Sequence, residues 1–285
     1  MAAGERVLLV DPKQRRYLVA LHVGGSFHTH AGIVAHDDVI GRAEGSTVTA
    51  STGRRFVALR PTLSDVVLKM PRGAQVIYPK DLGAILIAGD VGPGMRVLEA
   101  GVGSGALSMA LLRAGAQVVG YEVRPDFAAG ARANVAAWVG ADAAYRVEER
   151  DVYAGIDEHE LDRVVLDLPE PWRVLEPAAQ ALRPGGILVA YVPSITQVAA
   201  LRARMASGPV ALAETQEVLR RSWHVEERSV RPDHRMVAHT GFITAARLLV
   251  PDGAGGEEQG TDLDADPDTD EGGGPDEGGV MTEGP

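Results

Sequence analysis

The 285-residue chain contains no cysteine, which excludes disulfides and thiolate metal sites and makes a reducing compartment the default. No apolar run approaches the roughly 18–20 residues that a membrane-spanning helix needs. The opening stretch MAAGERVLLVDPKQRRY lacks the basic-then-apolar layout of a secretory signal. These absences predict a soluble, cytoplasmic protein with no membrane partner. Basic residues are absent from positions 251–285, where twelve Asp or Glu stand among glycines and almost no aliphatic side chains. Such a segment cannot bury enough apolar surface to offset its ordering entropy, so an acidic, disordered tail is expected. That tail carries a charge of −12 against a net charge of −11 for the chain, leaving a body with 28 basic and 27 acidic residues. A neutral body leaves room for a local basic face.

What remains is of ordinary globular composition, 45% apolar and 24% charged. Residues 1–70 read as short β-rich runs at 7–10, 17–21, 47–50, 56–59 and 66–70, broken by Asp11-Pro12-Lys13-Gln14 and Ser51-Thr52-Gly53-Arg54. They predict a small β-barrel-like domain. Residues 71–250 change texture to alternating strands (96–100, 117–122, 145–150, 163–168, 187–192) and helices (106–114, 126–139, 172–182, 195–207). Asp126 and Ser194 are the expected helix caps. Runs at 223–229 and 242–249 are expected to close the sheet as an antiparallel pair. The fold class is therefore α/β, a mostly parallel Rossmann-like sheet with helices on both faces and its ligands at the C-terminal ends of the strands.

At the end of the first of these strands stands Glu99-Ala100-Gly101-Val102-Gly103-Ser104-Gly105, followed by a helix beginning at Ala106 and Leu107. The glycines allow a tight turn and close approach of backbone to ligand. The spacing is G-x-G-x-G rather than the dinucleotide G-x-G-x-x-G. The acid before it would repel a pyrophosphate and suits a ligand carrying an ammonium and a sulfonium. Glu122 ends the second strand, where a carboxylate can accept both ribose hydroxyls. Asp151 follows the third strand, in place for an adenine amine, and Phe127 is either a cover for the adenosine edge or simple core. Together these residues resemble the class I methyltransferases over about residues 79–250. The resemblance implies S-adenosylmethionine as cofactor, with Ile77, Glu99, Gly101, Gly103, Ser104, Gly105, Ala106, Leu107, Glu122, Phe127, Asp151, Val152 and Asp167 around it.

After the fourth strand comes Asp167-Leu168-Pro169-Glu170-Pro171-Trp172. Methyltransferases acting on amines often place a polar residue and prolines there, beside the methyl donor, although this loop differs in detail. N1 of adenine has an in-plane lone pair and needs no strong base. A carboxylate that accepts from the N6 amine enriches N1 and stabilises the cation that forms. Asp167 is accordingly the expected catalyst, with a helix cap as the competing role.

Three stretches narrow the resemblance. They are Met70-Pro71-Arg72-Gly73-Ala74-Gln75-Val76-Ile77-Tyr78-Pro79-Lys80-Asp81, the glycine turn with the Asp167 loop, and Val230-Arg231-Pro232-Asp233-His234-Arg235 through His239-Thr240-Gly241-Phe242. They resemble the bacterial and archaeal tRNA (adenine-58-N1)-methyltransferases, in the actinobacterial form, over about residues 6–249. The resemblance implies a tRNA partner, a homotetramer, and a rim at 75–78 touching cofactor and base. In it Gln75 contacts the target, and Tyr78 either stacks on a flipped adenine or fills the core at the domain junction. Arg72, Lys80, Arg231 and Arg235 are candidate phosphate contacts. His239 either lines the site or satisfies a buried hydrogen bond. The histidines of Phe27-His28-Thr29-His30 and His36-Asp37-Asp38 look superficially like metal ligands, but no metal is expected; the family resemblance gives this domain a role in tRNA contact and assembly. Competing readings are a protein isoaspartyl or small-molecule methyltransferase, and a non-catalytic tRNA-binding subunit. The Asp167 loop and the N-terminal domain count against the first, and the intact set of glycines and acids counts against the second.

Overall fold

The computed structural model describes residues 1–70, 73 and 75–250. The expected acidic tail at 251–285 lies outside them. The chain opens with β1 (Arg6–Val10), β2 (Arg16–Ala20), β3 (Ser26–Thr29), β4 (Gly32–Ala35), β5 (Thr47–Thr49) and β6 (Arg55–Leu59). Four of these form an antiparallel sheet in the order β2-β1-β6-β5, and β3 pairs with β4 as a separate hairpin. Alternating apolar residues place Val7, Leu9, Val34, Val48 and Phe56 in one buried cluster. Asp11 shapes the first turn by accepting from the Lys13 and Arg15 amides and from the Arg15 guanidinium.

The run at 66–70, expected as a strand, is instead part of α1 (Leu63–Lys69). Thr62 and Asp65 form a reciprocal capping box, which starts a helix whose Val66 and Val67 face the core. There follow α2 (Pro79–Ala88), β7 (Arg96–Ala100), α3 (Ala106–Arg113), β8 (Gln117–Glu122), α4 (Pro125–Trp138), β9 (Tyr145–Glu149), β10 (Leu161–Leu166), α5 (Leu175–Ala181), β11 (Leu182–Val192) and α6 (Ile195–Met205). The chain ends in β12 (Val210–Glu217), β13 (Arg220–Glu226), β14 (Ser229–Val237) and β15 (Phe242–Leu248). Asp126 does not cap α4: Pro125 occupies the first turn, Arg124 precedes it, and Asp126 lies within that turn. The helix expected at 172–182 begins as a 3-10 turn at Pro171–Val174 before α5. Ser194 caps α6, with Gln197 completing the box.

The seven-stranded sheet has the order β12-β15-β11-β10-β7-β8-β9. All its pairings are parallel except those of β15, which runs antiparallel to both β11 and β12. The expected pairing of residues 223–229 with 242–249 is therefore incorrect. Trp223 belongs to β13, which pairs with β14 in a two-stranded ribbon inserted between β12 and β15. The short apolar alternation of β12 concealed it as the true partner. Strand side chains alternate between two layers. Val97, Val118, Val165 and Val189 pack with α1, α2 and α3, while Leu98, Val164, Leu166 and Leu188 pack with α5 and α6. No helix among the described residues is long and apolar enough to cross a membrane.

Candidate active site

The crossing point of the sheet, where β7 neighbours both β8 and β10, brings the ends of three strands together. Backbone geometry ties the turn after β7 to the loop after β10. The Asp167 amide donates to the Ala100 carbonyl at 2.9 Å. Gly101 adopts φ +87°, and a Cβ there would collide with the Asp167 carbonyl oxygen. A side chain at 101 would push the two loops apart. Gly103, at φ +55°, has nothing within 4 Å of where its Cβ would stand, so this part of the turn borders open space. Its amide donates to Glu122 Oε2 at 2.9 Å, and the Arg124 amide donates to Glu122 Oε1 at 3.0 Å. These bonds hold the buried Glu122 carboxylate beside the glycine turn.

Outside the turn lies a pocket of about 370 Å³ lined by Gly73, Gly103, Ser104, Asp126, Phe127, Gly130 and Asn134. Asn134 fixes one wall by donating to the Ser104 carbonyl at 3.0 Å. Phe127 lies partly buried under the Arg124 guanidinium, 3.5 Å from its ring centre. Ala106, Leu107 and Val152 are buried as apolar packing and do not line this pocket. Asp151 is exposed and spends Oδ1 on the Tyr153 amide, starting the 3-10 turn Val152–Ala154. Its second oxygen is left for another donor.

Electrostatics sharpen the picture. Glu99 is fully buried, with Oε2 accepting from Ser108 Oγ at 2.5 Å and Oε1 unpaired among the described residues. Burial pushes its carboxyl up to about 8 against the opposing Ser108 bond, with the charges of Asp167 and Glu122 adding to the rise. Asp167 is pushed up to about 7 by burial, and no donor among the described residues pairs with its carboxyl. It caps no helix, since Glu170 occupies the position before the 3-10 turn. Three converging carboxyls, one with a buried orphan oxygen, fit a ligand bearing positive charge and hydroxyl donors. They would repel a pyrophosphate.

On the facing side, Gln75 is exposed, Ile77 buried, and Tyr78 partly buried immediately before Pro79 opens α2. Arg72 lies outside the described residues. Lys80, an expected phosphate contact, is instead almost fully buried and bound to Asp81, Val218 and Thr240. Its tail folds inward from the first turn of α2, which the sequence pattern did not reveal. Asp81, Thr240 and Tyr191, its partners in this cluster, were not anticipated either, nor was Ser108 beside Glu99. The only signal available was the charged pair directly after a helix-starting proline. Arg231 and Arg235 are exposed on β14, where Arg231 pairs with His224 and Arg235 adjoins Met236, the partner of Arg221 on β13. His239 is not buried. Its Nδ1 lies 2.7 Å from Glu217 Oε1 and its Nε2 2.7 Å from the Pro193 carbonyl. Both partners are acceptors, so the site favours the protonated ring, and the Pro193 and Glu217 bonds raise its pKa. In the N-terminal sheet, His28 binds Ser26, and His36 Nδ1 accepts from the His22 amide. No three His, Asp or Glu side chains gather as a metal site among the described residues.

A doubly wound sheet with a reversed penultimate-position strand, a G-x-G-x-G turn and acids at successive strand ends define a class I S-adenosylmethionine-dependent methyltransferase. Family models sharpen the class: residues 1–48 match the TrmI-like N-terminal model, and residues 56–240 match the model described as tRNA methyltransferase complex GCD14 subunit. The chain belongs to this tRNA methyltransferase family. It is 42% identical over 250 residues to the tRNA (adenine(58)-N(1))-methyltransferase TrmI of Thermus thermophilus, covering 85% of this chain and 96% of that one. It is 36% identical over 270 residues to the tRNA (adenine(57)-N(1)/adenine(58)-N(1))-methyltransferase TrmI of Methanocaldococcus jannaschii, covering 85% and 94%. Among solved structures, a SAM-dependent O-methyltransferase of Thermotoga maritima superposes with TM-score 0.85 at 33% identity, covering 88% and 95%. The tRNA (m1A58) methyltransferase TrmI of Aquifex aeolicus gives 0.78 at 28% identity, covering 88% and 99%.

Proposed function

We propose that this enzyme methylates N1 of adenine 58 in tRNA. The observation that carries the reading is the unpaired carboxyl of Asp167, held by main-chain contacts against the glycine turn in a chain 42% identical to an enzyme of that activity. S-adenosylmethionine, when bound, supplies an electrophilic methyl group. Glu122 would hold its ribose hydroxyls, Glu99 would face its positive charge, the free oxygen of Asp151 would take its adenine amine, and Phe127 would cover its edge. Asp167, ionised, accepts a hydrogen bond from the N6 amine of the target adenine. That bond orients N1, raises its electron density and stabilises the cation as methylation proceeds. Tyr78 provides a stacking surface for the flipped base, with Gln75 beside it. Arg72, Arg231 and Arg235 serve phosphates, and His239 adds a further positive charge when protonated. Residues 1–70 act as an RNA-contacting β-domain, and a tRNA substrate puts the enzyme in the cytoplasm.

We also infer a homotetramer. One face of the β13–β14 ribbon exposes Trp223, Val225 and Val230, which register places side by side. A row of apolar side chains on a two-stranded ribbon suits a second copy of the chain.

The test is transfer of labelled methyl to unmodified tRNA with nuclease mapping, comparing wild type with Asp167→Ala. Label in N1-methyladenosine at position 58, reduced on the order of 100-fold by the substitution, is expected from loss of one aligned electrostatic group. Label at another nucleotide, or equal activity of the variant, would overturn the substrate or the catalytic assignment respectively.

A further inference from the structure

The cluster at the start of α2 is not accounted for by cofactor binding. Lys80 Nζ donates to Asp81 Oδ1 at 2.7 Å, to the Val218 carbonyl at 2.6 Å and to Thr240 Oγ1 at 2.5 Å. An ammonium has three donors, and here all three are used within the protein. Asp81 has a fully buried side chain, and its Oδ2 accepts from Thr240 Oγ1 at 2.5 Å and from Tyr191 Oη at 3.3 Å. The first turn of α2 is thus tied to the segment after β12, to the residue before Gly241 and β15, and to β11. Adjacent helical residues normally diverge. Here both turn inward to the same hydroxyl.

The position of this cluster gives it a function. Tyr78 precedes Lys80 by two residues, so the clamp fixes the register of the rim segment 75–78. On its other side, Leu166 pairs with Ala190 in the parallel register of β10 and β11, so the next residues, Asp167 and Tyr191, leave the two strands level with one another. Gly241 abuts the Tyr191 ring so closely that a Cβ would collide with it. His239, next to Thr240, is pinned to Glu217 and Pro193. Between the rim and Tyr191, which stands beside the Asp167 loop, there is therefore one continuous hydrogen-bonded connection. A desolvated ion pair is a weak source of net stability compared with apolar packing, and fixing one register is among its best-attested uses.

We propose that Lys80, Asp81 and Thr240 are positioning residues that latch the rim 75–78 to the entry of β15 and so set the acceptor side of methyl transfer. The proposal builds on the adenine-N1 reading above. The Thr240 hydroxyl is the joint, since it accepts from Lys80 and donates to Asp81.

Thr240→Val keeps the shape and removes the joint, and Thr240→Ser keeps the hydroxyl. The full chain is compared by hydrogen exchange of residues 75–81, by kcat and KM with tRNA, and by S-adenosylmethionine affinity. Thr240→Val is expected to exchange about tenfold faster at 75–81 and to lose about tenfold in kcat, with cofactor affinity within about twofold, as misplacement of the acceptor dictates. Thr240→Ser restores both the exchange rate and kcat. A double Lys80→Met/Asp81→Leu variant removes both charges together and shows the same pattern without stranding one of them. Unchanged exchange and kcat in Thr240→Val, or equal damage in Thr240→Ser, would overturn the latch. A wild type that leaves adenine 58 unmethylated sinks the substrate reading instead, and the exchange comparison still decides the latch.

Discussion

Asp167 and Glu99 stand at the ends of adjacent parallel strands, and burial raises both carboxyls, to about 7 and about 8. A folded value above the ordinary one means that each group favours the folded state most at low pH. That contribution fades as pH rises through the folded value. Catalysis runs the other way, because the ionised Asp167 accepts from the amine more strongly and alone carries the charge that stabilises the forming cation. In the free enzyme, kcat/KM is expected to rise through about pH 7 and then level, and this inflection should vanish from the residual activity of Asp167→Ala. A wild-type profile flat between pH 6 and 8 would remove Asp167 from the acceptor role. At this scale the sequence was informative where a carboxylate ends a strand and opaque where a partner arrives from elsewhere. Glu99 and Glu122 were placed from position alone, whereas Ser108, nine residues on, emerged only with the folded α3. Lys80 was misread for the same reason: a cation is visible in a sequence, but the direction of its flexible stem is not.

Elements with local causes were the most legible. β1, β2, β5 and β6 follow their β-rich runs, and the glycine turn and α3 follow theirs. Helix α1 was missed although its cause is equally local, because the Thr62–Asp65 box precedes only two turns of helix and its Val-Val pair favours a strand reading. The β12–β15 pairing is non-local and spans the whole inserted ribbon, so no window of sequence contains it. The ribbon also carries the test of assembly. Trp223→Arg places charge in the middle of its apolar face. Light scattering is expected to give the mass of four chains for wild type and a smaller species for the variant, with the helix and sheet content kept. A wild type that is already monomeric would dispose of the tetramer.

For the whole molecule, the strand order does what no single element can. It puts the glycine turn, Glu122 and the Asp167 loop at the C-terminal ends of three adjacent interior strands and routes α2 across to β15. The parallel character of the sheet was expected from the βαβ series, but the strand order itself was not read from the sequence. The closing pair was misread, since its partners are set by long-range packing. One consequence lies in the buried Glu99 with its unpaired oxygen. With its carboxyl pushed up to about 8, Glu99 in the ligand-free protein is expected to hold a proton near neutral pH, and a cation bound against it would expel that proton. Cofactor uptake is then a proton-releasing reaction, and its calorimetric heat should vary with the ionisation enthalpy of the buffer. That variation should be lost in Glu99→Gln and above about pH 9, and identical heats in all buffers at pH 7 would show that no proton leaves.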